Sequence, residues 1–148
     1  QGAEKAHPAP GIIEAINQAD LVVICPSNPW VSIEPILAIP GIRRALEDQV
    51  VLAVSPIIGG EAVKGPVAKM YRELGIDPSA AAVAEHYRDL LTGFIMDQED
   101  LDLVPEVEEI SKGSFKVFTT GTWMKNRGDR VRVADHVLGF GQQLLEEV

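Results

Sequence analysis

Two short loops and one basic turn hold the residue types that grip phosphate. They read Pro26-Ser27-Asn28-Pro29, Ser55-Pro56-Ile57-Ile58-Gly59-Gly60 and Lys64-Gly65-Pro66. Flanking prolines fix φ and stiffen the first loop. Ser27 and Asn28 carry donors for a phosphate oxygen or a base edge. Ser32 precedes Ile33 and Glu34, where the pattern starts a helix, and the positive end of a helix attracts an anion. The same residues equally suit an Asx or Ser turn followed by an N-cap. Gly59 and Gly60 permit positive φ and close backbone approach. Lys64 is a point charge just ahead of Pro66, which fits the first turn of a helix. Neither the Walker spacing nor a post-strand Gly-x-Gly-x-x-Gly is present, and Gly139-Phe140-Gly141 lies inside a helical pattern as packing.

Asp97 directly follows an apolar run and suits either a reactive role (metal binding or orienting a hydroxyl) or the cap of the next turn. His86 has no carboxylate partner nearby in sequence, so the pattern leaves its role as a general base open. Cys25, at a strand end, is expected to be a buried structural thiol.

The elements that must position these residues follow from periodicity. Leu21–Cys25, Val50–Val54, Gly93–Met96 and Phe115–Phe118 are short continuous apolar runs and read as strands. Helices are expected over Ile13–Ala19, Ile33–Ile39, Ile42–Leu46, Val67–Leu74, Ala80–Tyr87, Leu101–Ile110 and Arg130–Glu147. Pro40-Gly41 splits the second from the third, Gly75 caps the fourth, and Ser79 caps the fifth through Ala82. Pro105 belongs in the first turn of the sixth, and Gly139 and Gly141 are a soft spot in the last. Strands apolar on both faces, alternating with helices, imply an α/β fold. It is a doubly wound, mainly parallel, Rossmann-like sheet with helices on both faces, whose ligands sit at the strand carboxyl ends.

The 148 residues are 46% hydrophobic and carry a net charge of -9. Disorder and nonspecific nucleic-acid binding are excluded by that balance. One cysteine and three histidines give no zinc spacing. No apolar run reaches the roughly 20 residues of a membrane helix. A cytoplasmic location without a membrane partner is expected. The chain opens on Gln1, and its first ten residues read as the middle of something longer.

Taken together, the loops resemble the 2-phospho-L-lactate transferases, the CofD-like proteins. The resemblance runs from Ala19-Asp20-Leu21-Val22-Val23 through Pro26-Ser27-Asn28-Pro29, Ser32-Ile33, Pro35-Ile36-Leu37 and Ile39-Pro40-Gly41-Ile42-Arg43. It continues in Val54 to Gly60, Lys64-Gly65-Pro66, His86-Tyr87, Gly93-Phe94 with Asp97, and Thr122 with Met124. Gly121 departs from it, standing where the family more often has an acidic residue. Trp123 is unusual there and is expected to join the core rather than stack on a ring.

The resemblance implies that residues 1–148 are the C-terminal portion of a single, longer α/β domain. The absent N-terminal half would carry the glycine-rich nucleotide loop and the best-known metal ligand, leaving no metal ligand in this half. It implies a transferase of deazaflavin coenzyme (F-420) biosynthesis. A phospholactyl or phosphoenolpyruvyl unit would move from a guanosine diphosphate conjugate to the ribityl hydroxyl of a deazaflavin precursor. GMP would leave, with magnesium as cofactor. Pro26, Ser27, Asn28 and Ser32 would hold the nucleotide or its phosphate. Ser55, Gly59, Gly60 and Lys64 would shape the neighbouring wall, and Asp97 is the acidic catalytic candidate. The alternatives are a nucleotide-sugar-binding regulator of the gluconeogenesis-factor type and a fragment without activity. A homodimer is a further expectation, through the apolar face that a missing half would uncover.

Overall fold

A computed structural model describes residues 2–62, 75–76 and 78–147. Its strands are β1 (Val22–Ile24), β2 (Val51–Val54), β3 (Ile57–Ile58), β4 (Glu61–Ala62), β5 (Gly93–Asp97) and β6 (Lys116–Thr120). Its α-helices are α1 (Ile12–Asn17), α2 (Glu34–Leu37), α3 (Ile42–Leu46), α4 (Ala80–Tyr87), α5 (Val104–Ser111) and α6 (Arg127–Leu145). The main sheet has the order β1-β2-β5-β6, and every neighbouring pair is parallel.

β2 and β5 are buried along their whole length, as continuous apolar runs require. Val51, Ala53, Phe94 and Met96 face a core shared with residues of α1 to α5. Leu52, Val54 and Ile95 face the other way, onto Val133, Val137, Phe140 and Leu144 of α6. The α6 residues recur at the three- and four-residue spacing of one helical face. Each fully buried side chain of this size contributes about 1.5–3 kcal/mol of transfer free energy. The parallel α/β sheet covered on both faces is therefore present. Among the described residues, its second face is covered by one helix.

Ser79 caps α4 as read, its Oγ accepting from Ala82 N at 3.0 Å. Gly41 breaks α2 from α3 at φ 93°. Pro105 sits in the first turn of α5, after a 3₁₀ segment Gln98–Leu103. α6 starts earlier than the apolar pattern indicates, because Asn126 and Asp129 form a reciprocal capping box. Gly139 and Gly141 do not break it. Gly141 is where Leu21 comes against the helix, and a Cβ there would lie 2.5 Å from Leu21 Cδ2.

The β3–β4 hairpin lies outside the sequence expectation. Gly59 (φ 58°) and Gly60 (φ 74°) form its tip, with the two positive φ angles a type I′ turn needs. The helix expected over Val67–Leu74 lies outside the described residues. Cys25 is exposed rather than buried, because among the described residues β1 lies at the edge of the sheet and ends one residue earlier. Among the described residues, no helix is long and apolar enough to cross a membrane.

Candidate functional site

With four parallel strands, the loops that follow β1, β2, β5 and β6 all leave from one edge of the sheet. Neighbouring strands lie about 4.8 Å apart, so the outermost of these loops start about 14 Å from each other.

After β1, Asn28 is buried and its Oδ1 accepts from Trp30 N (3.0 Å) and Val31 N (3.3 Å). It thereby caps a π-helical turn, Pro29–Ile33, that runs into α2. Ser32 is expected at the helix start. Instead it lies inside this turn and is exposed, with its N–H donating to Asn28 O. The cap moves to Asn28 because a buried Asx side chain reaches two orphan N–H groups there. Pro26 and Ser27 are half-buried at the loop's crest.

After β2, the Ser55 hydroxyl is buried and closes its own turn, donating to Ile57 O and accepting from Ile57 N, each at 3.1 Å. Gly59 and Gly60 follow at the hairpin tip. The hairpin meets the β5 loop, since a Cβ on Gly59 would stand 3.4 Å from Glu99 Oε2. Lys64 lies outside the described residues.

After β5, Asp97 is buried with both carboxylate oxygens engaged. Oδ1 accepts from Glu99 N at 3.0 Å, and Oδ2 accepts from Thr122 N at 2.5 Å and Thr122 Oγ1 at 2.8 Å. Asp97 thus caps the next turn and ties the β5 loop to the β6 loop. Asp100, not singled out by sequence, is 3% exposed. Burial raises its pKa, the N–H groups of Gly59 and Gly60 offset part of that, and the charge of Asp97 adds to the rise. Only the turn between Asp97 and Asp100 folds it inward, which no local spacing signals.

After β6, Thr120 Oγ1 lies 2.6 Å from His136 Nδ1, and Arg132 donates to Gly121 O. Trp123 is 47% exposed, contrary to the core expectation. Thr122 takes the inward position against Asp97, which turns its neighbour to solvent.

His86 has a carboxylate partner after all. Its Nε2 stands 3.3 Å from Glu34 Oε2, and Glu34 also holds Arg43 Nη2 at 3.1 Å. Burial lowers the pKa of His86; Glu34 opposes that and Arg43 adds to it. Trp30 packs on the imidazole with ring centroids 4.8 Å apart. The group braces α4 against the turn that Asn28 caps. Its link to α4, between Glu34 and His86, joins residues 52 positions apart, so only the fold reveals it.

Among the described residues, no group of three His, Cys, Asp or Glu side chains could hold a metal ion. The oxygens of Asp97 already accept from three donors. The structure therefore brings Pro26, Ser27, Asn28, Ser55, Gly59, Gly60 and Asp97 to one edge, with Ser32 one turn further on. It directs the side chains of Asn28, Ser55 and Asp97 largely into the protein.

The family model described as 2-phospho-L-lactate transferase CofD matches residues 1–135. A phosphoenolpyruvate transferase of Thermobifida fusca is 53% identical over 104 residues, covering 70% of this chain and 32% of that protein. A 2-phospho-L-lactate transferase of Methanothermobacter thermautotrophicus is 41% identical over 135 residues, 91% of this chain and 43% of its own length. One of Methanopyrus kandleri is 39% identical over 151 aligned positions, 98% of this chain and 46% of its own. The chain thus spans less than half the length of these curated relatives. It belongs to the 2-phospho-L-lactate transferase CofD family.

Proposed function

We propose that this chain is part of a cytoplasmic transferase of deazaflavin coenzyme (F-420) biosynthesis. The donor is a guanosine diphosphate conjugate of phospholactate or phosphoenolpyruvate, and the acceptor is the ribityl hydroxyl of a deazaflavin precursor. An acceptor oxygen–phosphorus bond forms as the bond to GMP breaks; the hydroxyl proton is lost and GMP leaves with the electron pair. The observation that carries this reading is the family match over residues 1–135 on a chain whose strand-end loops share one edge.

Such transfer depends on positioning and on neutralising phosphate charge. In this chain, backbone N–H groups and the crest of the Pro26–Asn28 loop take the nucleotide side. Ser55 and the Gly59-Gly60 tip form the adjoining wall, through shape rather than through the serine hydroxyl. Asp97 acts as a positioning residue that holds Thr122 in place. Magnesium belongs to the proposed reaction, but the described residues do not fit a magnesium cage, and no step here runs through it. Lys64 remains a phosphate contact of the proposal. Association of two copies belongs to it too, through the exposed Val131, Leu138 and Leu145 of α6.

Calorimetry of the longest form of the protein that the reading frame encodes tests the nucleotide side. GDP is expected to bind more tightly than UDP. Asn28→Asp keeps the capping oxygen but replaces an amide donor with negative charge, so it should weaken GDP binding at least about tenfold, or 1.4 kcal/mol, with the melting temperature read alongside to tell loss of binding from loss of fold. Preference for UDP, or full GDP affinity in Asn28→Asp, would remove the assignment.

A further inference from the structure

Trp123 combines an exposed ring with a fixed backbone. Thr122, just before it, donates twice to the buried Asp97 carboxylate. Arg132 donates to Gly121 O, and its Nη2 reaches Trp123 O at 3.4 Å. Just beyond, Lys125 N and Asn126 N both donate to Asp129 Oδ2 at the start of α6. Hydrogen bonds to three flanking anchors thus set the position of a residue whose side chain is 47% exposed. The ring itself meets the Lys125 ammonium, 4.0 Å from its centroid.

Leaving that much indole in water forgoes burial that the nearby α6 core could have supplied. A rigid, solvent-facing aromatic is what stacking on a flat ring requires, because little conformational freedom is lost on binding. Its place is also specific. The β6 loop lies at the opposite end of the strand-end row from the Pro26–Asn28 loop, about 14 Å away, with Asp97 between them. A nucleotide held near β1 and a second ring held near β6 would flank the centre of the row.

We infer that Trp123 is the stacking platform for the flat heteroaromatic ring of the acceptor, and so a specificity-determining residue of the site. The identity of that ring as a deazaflavin rests on the proposed transferase function; the stacking site itself does not. The Lys125 ammonium favours a ring or substituent that carries negative charge.

The test is a titration of the longest encoded form with riboflavin and with a ribityl-deazaflavin, read by quenching of tryptophan fluorescence and by fluorescence anisotropy of the ligand. The expected result is saturable binding, weakened about tenfold in Trp123→Ala and largely restored in Trp123→Phe. In the transfer reaction, Trp123→Ala should raise the acceptor KM about tenfold and leave kcat and the donor KM within about twofold. No ring binding by the wild-type protein, or equal affinity in Trp123→Ala, would overturn the inference. GDP calorimetry run in parallel separates the two ideas. Failure to bind GDP would sink the transferase reading while a Trp123-dependent ring signal stood.

Discussion

At the end of β5, one carboxylate meets two demands. Its place suits chemistry, and its bonds suit a clamp. Asp97 accepts from Glu99 N, Thr122 N and Thr122 Oγ1, all inside the protein. Replacing one oxygen with an NH₂ group sets a donor against a donor, whichever way the amide turns. Asp97→Asn should therefore lower stability by about 1–3 kcal/mol, the cost of leaving a buried group unsatisfied. Urea denaturation reads this as a lower midpoint with an unchanged slope. An unchanged midpoint would show that the clamp carries no stability, and would return Asp97 to the list of groups free for chemistry. The choice of role was already visible in the sequence as a pair of alternatives. The sequence did not reveal the partner, because Thr122 lies 25 residues away on another strand's loop.

Between elements, the closest packing involves glycine. Gly93 opens β5, and a Cβ there would stand 2.5 Å from Leu52 Cδ2, 2.7 Å from Phe140 Cε1 and 2.8 Å from Leu144 Cδ1. α6 can lie this low on the sheet only because that position has no side chain. Gly93→Ala should cost about 1–3 kcal/mol by overpacking. Gly139→Ala, on the same helix with nothing within 4 Å, should instead add about 0.5–1 kcal/mol. Thermal or urea midpoints moving in the same direction for both would contradict this packing. Elements with strong internal signals were legible in advance. β2 and β5 are apolar on both faces, and Ser79 stands at the third position before Ala82. The β3–β4 hairpin was not, since two residues per strand are too short to show a period. The start of α6 was missed for a related reason: Arg127-Gly128-Asp129 carries no apolar residue, and the cap alone marks the boundary.

At the scale of the molecule, the main-sheet strands among the described residues advance in one direction only, from β1 at one edge to β6 at the other. Among the helices of the described residues, α1 to α5 contribute to one core and α6 to the second. In sheets of this class, ligands lie in the crevice where the winding reverses, which requires strands on both sides of it. The Pro26–Asn28 loop stands on the outermost described strand, so this chain supplies one wall of such a crevice. The relatives are more than twice as long as the segment they share with it, which leaves room for the other wall. Two separate apolar cores give residues 1–148 enough to fold around, and cooperative unfolding is expected of them. Turnover is not, because positioning supplies most of the rate and these residues span less than half the length of the relatives. The purified 148-residue chain should therefore form no transfer product under conditions where the longest encoded form does, and should bind GDP at least about tenfold more weakly. Product formation by the short chain at a comparable rate would place the entire site on these four strand ends, and the second wall would be unnecessary.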